Sequence, residues 1–156
     1  MTLTQKEPSI ADIMSKAVLA VDMDTNVKDC SKAMSKKGVS CSVVTQANRA
    51  VGIVTERDLV SKVLADAVDP NKIYVRDIMS TPLITVSSNA SLTDAAAQMA
   101  EYRIRRLVVV DRTGSMVGIV TAGDIARSLA EKHGYREPTF NALARYKEGI
   151  EGGPYQ

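Results

Sequence analysis

Hydrophobic residues along this chain are spaced first as in strands and then as in helices, and the same order of spacings occurs twice. A short aliphatic run comes first, then apolar residues at helical spacing, then two further apolar runs and a second helical segment. In the first half the helical spacing places Val27, Cys30 and Met34 on one side, and residues 92–99 repeat it in the second half. The pattern therefore predicts one β-α-β-β-α unit in each half of the chain.

Identical short runs show that the two halves are copies of one another. Asp-Ile-Met-Ser begins at Asp12 and again at Asp77, and Val-Gly-Ile-Val-Thr begins at Val51 and again at Val117. We predict repeat 1 at residues 9–65, repeat 2 at residues 74–131, and a partly helical C-terminal tail at residues 132–156.

The predicted fold class is α/β. Three short strands and two helices form a small core, so we expect the two repeats to pack sheet to sheet with pseudo-twofold symmetry.

Composition narrows the class of protein. The 156 residues are 45% hydrophobic and 24% charged, as in an ordinary globular domain. Since no apolar run approaches the roughly 20 residues that span a bilayer, and the N-terminus has no signal-peptide pattern, we expect a cytoplasmic protein without membrane contact. A net charge of +2 does not by itself indicate nucleic acid.

Candidate catalytic and metal-binding groups are scarce. His133 is the only histidine, and Cys30 and Cys41 do not have metal or redox spacing. Nucleophile elbows, Walker loops and dinucleotide-type glycine fingerprints are also missing from the sequence. We therefore predict no enzyme, no metal and no required cofactor, and interpret Cys30 as a small buried hydrophobe.

One motif in each repeat places polar groups at the start of a helix. Thr55 and Asp58 follow a β-branched run, as do Thr121 and Asp124. Unpaired backbone N–H groups and the helix dipole favour anions at such a position. Thr-x-x-Asp also matches a capping box, in which the carboxylate bonds to its own helix and has less capacity for a ligand. Both interpretations stay open at this point.

Two copies of Gly-hydrophobic-hydrophobic-Thr-x-x-Asp, each opened by Asp-Ile-Met, resemble a tandem pair of CBS domains, or Bateman module, over about residues 9–131. The resemblance implies a sensory module that binds an adenosine compound in clefts between the repeats. AMP is the leading candidate for this regulatory ligand, with ADP, ATP and S-adenosylmethionine as others. The resemblance also implies a homodimer and a regulated protein that the sequence does not identify.

The same resemblance implies roles for individual residues. Asp58 and Asp124 would accept hydrogen bonds from ribose hydroxyls, basic residues would hold phosphate, and aliphatic residues would line the adenine slots. The predicted ligand-binding set is Leu19, Val39, Ser40, Thr55, Arg57, Asp58, Ile84, Ile104, Arg105, Arg106, Thr121 and Asp124.

The basic residues differ between the repeats, so we expect unequal clefts. Arg105 and Arg106 stand where repeat 1 has Ser40 and Cys41, while Arg57 stands where repeat 2 has a glycine. Alternation along a strand predicts that at most one of Arg105 and Arg106 faces a given cleft, unless the strand begins after them.

Two alternatives of other classes remain. One is an oligomerisation or interaction module whose clefts stay empty. The other is binding of nucleic acid through the arginines of repeat 2, a partner that we do not expect.

Overall fold

The structure is a computed structural model and describes residues 6–132. Its helices are α1 (Ile10–Ile13), α2 (Val27–Lys37), α3 (Glu56–Leu59), α4 (Val75–Ile78), α5 (Leu92–Tyr102) and α6 (Ala122–Lys132). Its strands are β1 (Ala20–Asp22), β2 (Cys41–Gln46), β3 (Arg49–Thr55), β4 (Thr85–Ser87), β5 (Arg106–Val110) and β6 (Met116–Thr121).

The strands form two three-stranded sheets of the same topology, ordered β1-β2-β3 and β4-β5-β6. In each sheet the first strand pairs parallel with the middle strand, and the middle strand pairs antiparallel with the third. A parallel pair needs a long crossover, which α2 and α5 provide. The predicted β-α-β-β-α order is therefore confirmed in both repeats, and each repeat also has a short helix before its first strand.

The crossover helices begin alike and end in the same backbone geometry. Asn26 caps α2 by accepting the Asp29 N–H at 2.8 Å, and Ser91 caps α5 in the same way. Past the last turn, Gly38 has a φ of 63° and Arg103 a φ of 53°. Only the first of these is a glycine, the residue that adopts this left-handed conformation without steric cost.

The closing helices of the two repeats differ in winding. α6 is a regular α-helix of 11 residues. α3 is one turn long and continues into a π-helical turn at Val60–Leu64. Single π-turns of this kind are frequently found beside functional sites.

The two sheets face each other across a shared apolar layer. Val43 of repeat 1 and Val108 and Ile119 of repeat 2 are buried in one cluster, against which Val18 and Leu83 also pack. The predicted packing of sheet to sheet is therefore confirmed.

The two short helices are exchanged between the repeats. Ser80, after α4, bonds through both backbone groups to Ile53 of repeat 1, at 2.9 and 3.2 Å. Ser15, after α1, bonds in the same way to Ile119 of repeat 2, at 2.8 and 2.9 Å. Each short helix completes the core of the other repeat, since Ile10 is buried with repeat 2 residues and Ile78 with repeat 1 residues.

Three further expectations concern Cys30, the C-terminal tail and membrane contact. Cys30 is fully buried, and burial raises the pKa of its thiol, as expected of a small hydrophobe. The predicted tail helix and His133 lie outside the described residues. Within residues 6–132 no helix is long and apolar enough to cross a membrane.

Candidate functional site

A cavity of about 450 Å³ opens between the two repeats. Repeat 1 contributes residues 55–58, where β3 ends and α3 begins, together with Ser40 and Ile53. Repeat 2 contributes residues 80, 82–84, 103–106 and 108, which lie before β4 and around the start of β5. The volume is within the range of small-molecule sites, which is about 300–1,000 Å³.

Eight of the predicted ligand-binding residues line this one cavity. They are Ser40, Thr55, Arg57, Asp58, Ile84, Ile104, Arg105 and Arg106. The other four, Leu19, Val39, Thr121 and Asp124, are not part of its wall. The structure thus gathers the predicted basic residues of both repeats around the Asp58 motif, a distribution that the sequence did not determine.

Both Thr-x-x-Asp motifs form complete capping boxes. Asp58 Oδ2 accepts the Thr55 N–H at 2.8 Å and the Thr55 hydroxyl at 3.0 Å, and the Asp58 N–H donates back to Thr55 Oγ1 at 3.3 Å. Thr121 and Asp124 repeat these bonds at 2.9, 2.8 and 3.2 Å. The capping role is therefore present in each repeat, and any ligand role must be compatible with it.

The second carboxylate oxygen distinguishes the two motifs. Asp58 Oδ1 lies 2.9 Å from Lys62 Nζ, which also donates to the backbone carbonyl of Ile78 at 2.7 Å. Lys62 is part of the π-helical turn and is one helical turn beyond Asp58. In repeat 2 the carboxylate of Asp124 faces Arg127 at 3.8 Å. Asp58 is thus connected to the end of α4 through Lys62.

Arg105 and Arg106 both line the cavity, which strand alternation allows only where the strand has not yet begun. The reason is that β5 begins at Arg106, so Arg105 belongs to the loop before it. The guanidinium of Arg106 donates to the Ser40 hydroxyl at 3.0 Å. Ser40, the neutral counterpart of Arg105, therefore holds Arg106 at the boundary between the repeats.

The four predicted adenine-slot residues have different surroundings. Ile84 and Ile104 are partly buried against the core of repeat 2 and also line the cavity. Leu19 is 8% exposed and belongs to the core of repeat 1, with Val39 packed against it. Ile84 and Ile104 therefore supply part of the apolar lining of the cavity that the polar start of α3 also lines.

Arg103 lines the cavity although it is outside the predicted ligand-binding set, since a run of charged residues is usually a solvated face. The signal that could have identified it is its alignment with Gly38. A helix end that repeat 1 closes with glycine carries an arginine in repeat 2. Among residues 6–132, Arg57, Arg103 and Arg105 form no ion pair, and no cluster of three or more His, Cys, Asp or Glu side chains could hold a metal.

Comparison with known proteins identifies the family. The CBS domain model matches residues 10–65 and residues 75–131. The chain therefore belongs to the CBS domain family, and carries two such domains in tandem.

Curated relatives include an uncharacterized protein and a protein named for its CBS domains. An uncharacterized protein of Methanopyrus kandleri is 35% identical over 118 residues, which cover 75% of this chain and 60% of that protein. The CBS domain-containing protein YhcV of Bacillus subtilis is 33% identical over 118 residues, covering 76% of this chain and 83% of YhcV.

Solved structures agree with the fold. An uncharacterized conserved protein from Pyrococcus horikoshii has a TM-score of 0.71 at 29% identity, over 84% of this chain and 94% of that chain. CBSX2 in complex with AMP has a TM-score of 0.67 at 28% identity, over 80% of this chain and 98% of the CBSX2 chain. The hexameric CBS-CP12 protein from bloom-forming cyanobacteria has a TM-score of 0.70 at 30% identity, over 76% of this chain and 69% of the CBS-CP12 chain.

Proposed function

We propose that this chain is a regulatory module that binds an adenine nucleotide, with AMP as the leading candidate, in the cavity between its repeats. The observation that carries the proposal is the composition of the cavity wall. It combines an apolar surface, a carboxylate at a helix start and a group of arginines. A nucleotide has one part suited to each, since the flat faces of its base pack against apolar side chains, its ribose donates hydrogen bonds and its phosphate is anionic.

We propose a role for six of the predicted residues that line the cavity. Ile84 and Ile104 take the base, Asp58 takes the ribose, and Arg105 and Arg106 take the phosphate together with Arg57. The AMP complex of CBSX2, a structural neighbour, supports this class of ligand.

The capping box of Asp58 does not exclude ribose binding. Oδ2 is occupied by Thr55, whereas Oδ1 has Lys62 as its partner. Because a carboxylate oxygen accepts two hydrogen bonds, a ribose hydroxyl can donate to Oδ1 while the cap stays closed. The two interpretations of Thr-x-x-Asp are therefore compatible in repeat 1.

Nucleotide binding would reach a partner protein through the packing of the repeats. The cavity is built from both repeats, so a ligand in it stabilises the arrangement in which the two walls fit the nucleotide. We propose that the regulated protein, and a second copy of this chain in a homodimer, recognise that arrangement.

The second candidate function is an assembly module without a ligand. It is favoured by exposed apolar side chains on one helical segment, with Val60 57% and Leu64 75% exposed. The hexamer of the related CBS-CP12 protein shows that a neighbour of this fold assembles.

Thermal unfolding with millimolar adenosine, AMP, ADP, ATP and GMP separates the two candidates. A ligand at a hundred times its dissociation constant stabilises the fold by about 2.7 kcal/mol, which raises the melting temperature by several degrees. We expect that rise with AMP and a smaller one with GMP. If no adenine compound changes the melting temperature, the assembly module is the better account.

A further inference from the structure

The carboxylate of Asp58 has a limited capacity for hydrogen bonds, and most of that capacity is already used. Oδ2 accepts from the Thr55 N–H at 2.8 Å and from the Thr55 hydroxyl at 3.0 Å. Oδ1 accepts from Lys62 Nζ at 2.9 Å. The two oxygens of a carboxylate offer about four acceptor positions, shared equally between them. Within residues 6–132 three of these positions are therefore filled, and the open one is on Oδ1.

Lys62 is held in its place by a second acceptor. Its ammonium also donates to the backbone carbonyl of Ile78 at 2.7 Å. Ile78 is the last residue of α4, and the final carbonyls of a helix have no partner within that helix. Lys62 itself is not one of the residues that line the cavity. A ligand that reaches Asp58 therefore meets Oδ1 with the ammonium already bound to it.

Repeat 2 shows that the capping box does not need such a lysine. The residue one helical turn beyond Asp124 is Ser128. The cation near Asp124 is Arg127, at 3.8 Å, a distance that exceeds an ordinary hydrogen bond. Thr121 and Asp124 nevertheless form the same capping box as repeat 1. The contact between Lys62 and Oδ1 is thus an addition to the cap in the repeat whose motif lines the cavity.

A ribose has two neighbouring hydroxyl groups, at its 2′ and 3′ positions, and each can donate a hydrogen bond. We propose that Lys62 is a positioning residue that limits Asp58 to one of these hydroxyls, so that the cavity distinguishes between them. One hydroxyl donates to the open position on Oδ1, and Lys62 occupies the position that the other hydroxyl would need. This inference rests on the proposed function and deepens it, because it concerns the ribose specificity of the same cavity.

The test compares AMP with 2′-deoxy-AMP and 3′-deoxy-AMP by calorimetry on the unaltered chain, on Lys62→Met and on Lys72→Met. Methionine keeps an unbranched apolar side chain and removes the ammonium. Lys72→Met is the matched control, because Lys72 also faces a nearby aspartate, Asp69 at 3.9 Å, but lies outside the cavity wall.

In the unaltered chain we expect one deoxy analogue to bind roughly tenfold or more weakly than AMP, and the other to stay within about twofold of AMP. Lys62→Met opens a second position on Oδ1, so both analogues should then bind roughly tenfold or more weakly than AMP. A merely structural role of Lys62 would instead weaken all three ligands alike and keep the unequal pattern. Lys72→Met should show the pattern of the unaltered chain.

Equal affinities of the two analogues for the unaltered chain would overturn the inference, and this result depends on no substitution. The inference is also overturned if Lys62→Met keeps the unequal pattern. In both cases AMP still binds, so the proposed function stands. Failure of AMP itself to bind the unaltered chain would overturn the proposed function as well.

Discussion

Gly52 of β3 packs closely against Met79, the residue that follows α4. A Cβ atom at Gly52 would come within 2.7 Å of the Met79 sulfur and 3.0 Å of the Ser80 carbonyl oxygen. Gly118 of β6 has the same relation to Met14, at 2.8 Å. The glycine that precedes each Ile-Val-Thr run therefore leaves room for the residues that follow the short helix of the other repeat. At Gly52 this packing places Ser80 and its neighbours in the cavity wall.

Gly52→Ala should destabilise the fold by about 1–3 kcal/mol, because the added methyl group overlaps a backbone carbonyl that is fixed by the Ile53–Ser80 pairing. Urea denaturation measures the loss. Gly123→Ala is the matched control, since its Cβ would meet only Thr121 Oγ1 at 3.7 Å. A control as unstable as Gly52→Ala would contradict the steric explanation.

Asp58→Ala and Asp124→Ala should have different consequences despite their equal capping boxes. Each variant loses a cap, which costs about 1 kcal/mol of unfolding free energy. Only Asp58→Ala should also weaken AMP, by roughly ten- to a hundredfold, because only Asp58 lines the cavity. Denaturation and calorimetry on both variants measure the two effects. Unchanged AMP affinity in Asp58→Ala would leave that residue with a capping role alone.

Replacing Arg105 and Arg106 together by alanine should weaken AMP much more than adenosine, because adenosine has no phosphate for the guanidinium groups to contact. We expect a loss of roughly tenfold or more for AMP and little change for adenosine. The paired control replaces Arg49 and Arg112, two exposed arginines outside the cavity. An equal loss for both ligands would show that the cavity arginines support structure instead of binding phosphate.

The acid stability of the chain should depend on Asp12. Hydrogen bonds from the backbone N–H and hydroxyl of Ser9 hold the pKa of the Asp12 carboxyl below its ordinary value. A lowered folded-state pKa stabilises the fold above the unfolded-state value of about 3.9, and this contribution is lost as the pH falls through the lowered pKa. Asp12→Asn should therefore be less stable than the unaltered chain at neutral pH, with the difference closing below about pH 4. Urea midpoints from pH 3 to pH 7 measure it, and a difference that stays constant across this range would contradict the assignment.

Much of the fold follows from local pattern. The repeated periods predict each β-α-β-β-α unit because side-chain burial on one helix face or one sheet face is a local property. The exchange of α1 and α4 could not be predicted in this way. Asp-Ile-Met-Ser lies near the start of each repeat, and nothing in its own residues shows that Ser15 pairs with Ile119 or Ser80 with Ile53.

The candidate site, too, could be predicted where it depends on local sequence and not where it depends on packing. The Thr55 and Asp58 motif was found because it is repeated, but which arginines it faces depends on how the two repeats pack. The alternation rule does not apply to Arg105, because strand β5 begins at Arg106, and the sequence does not fix where that strand begins. Arg103 was hidden because an arginine in a charged run resembles an ordinary surface residue, and only its alignment with Gly38 sets it apart.

Hydrogen exchange with and without AMP tests the central claim most directly, since it locates the nucleotide as well as detecting it. The account predicts slower exchange in residues 53–58, 80–84 and 103–108, which form the cavity wall, and little change in residues 118–124. The Arg105→Ala and Arg106→Ala double variant should lose this protection at the same AMP concentration. Protection centred on residues 118–124, or no protection anywhere at saturating AMP, would contradict the account.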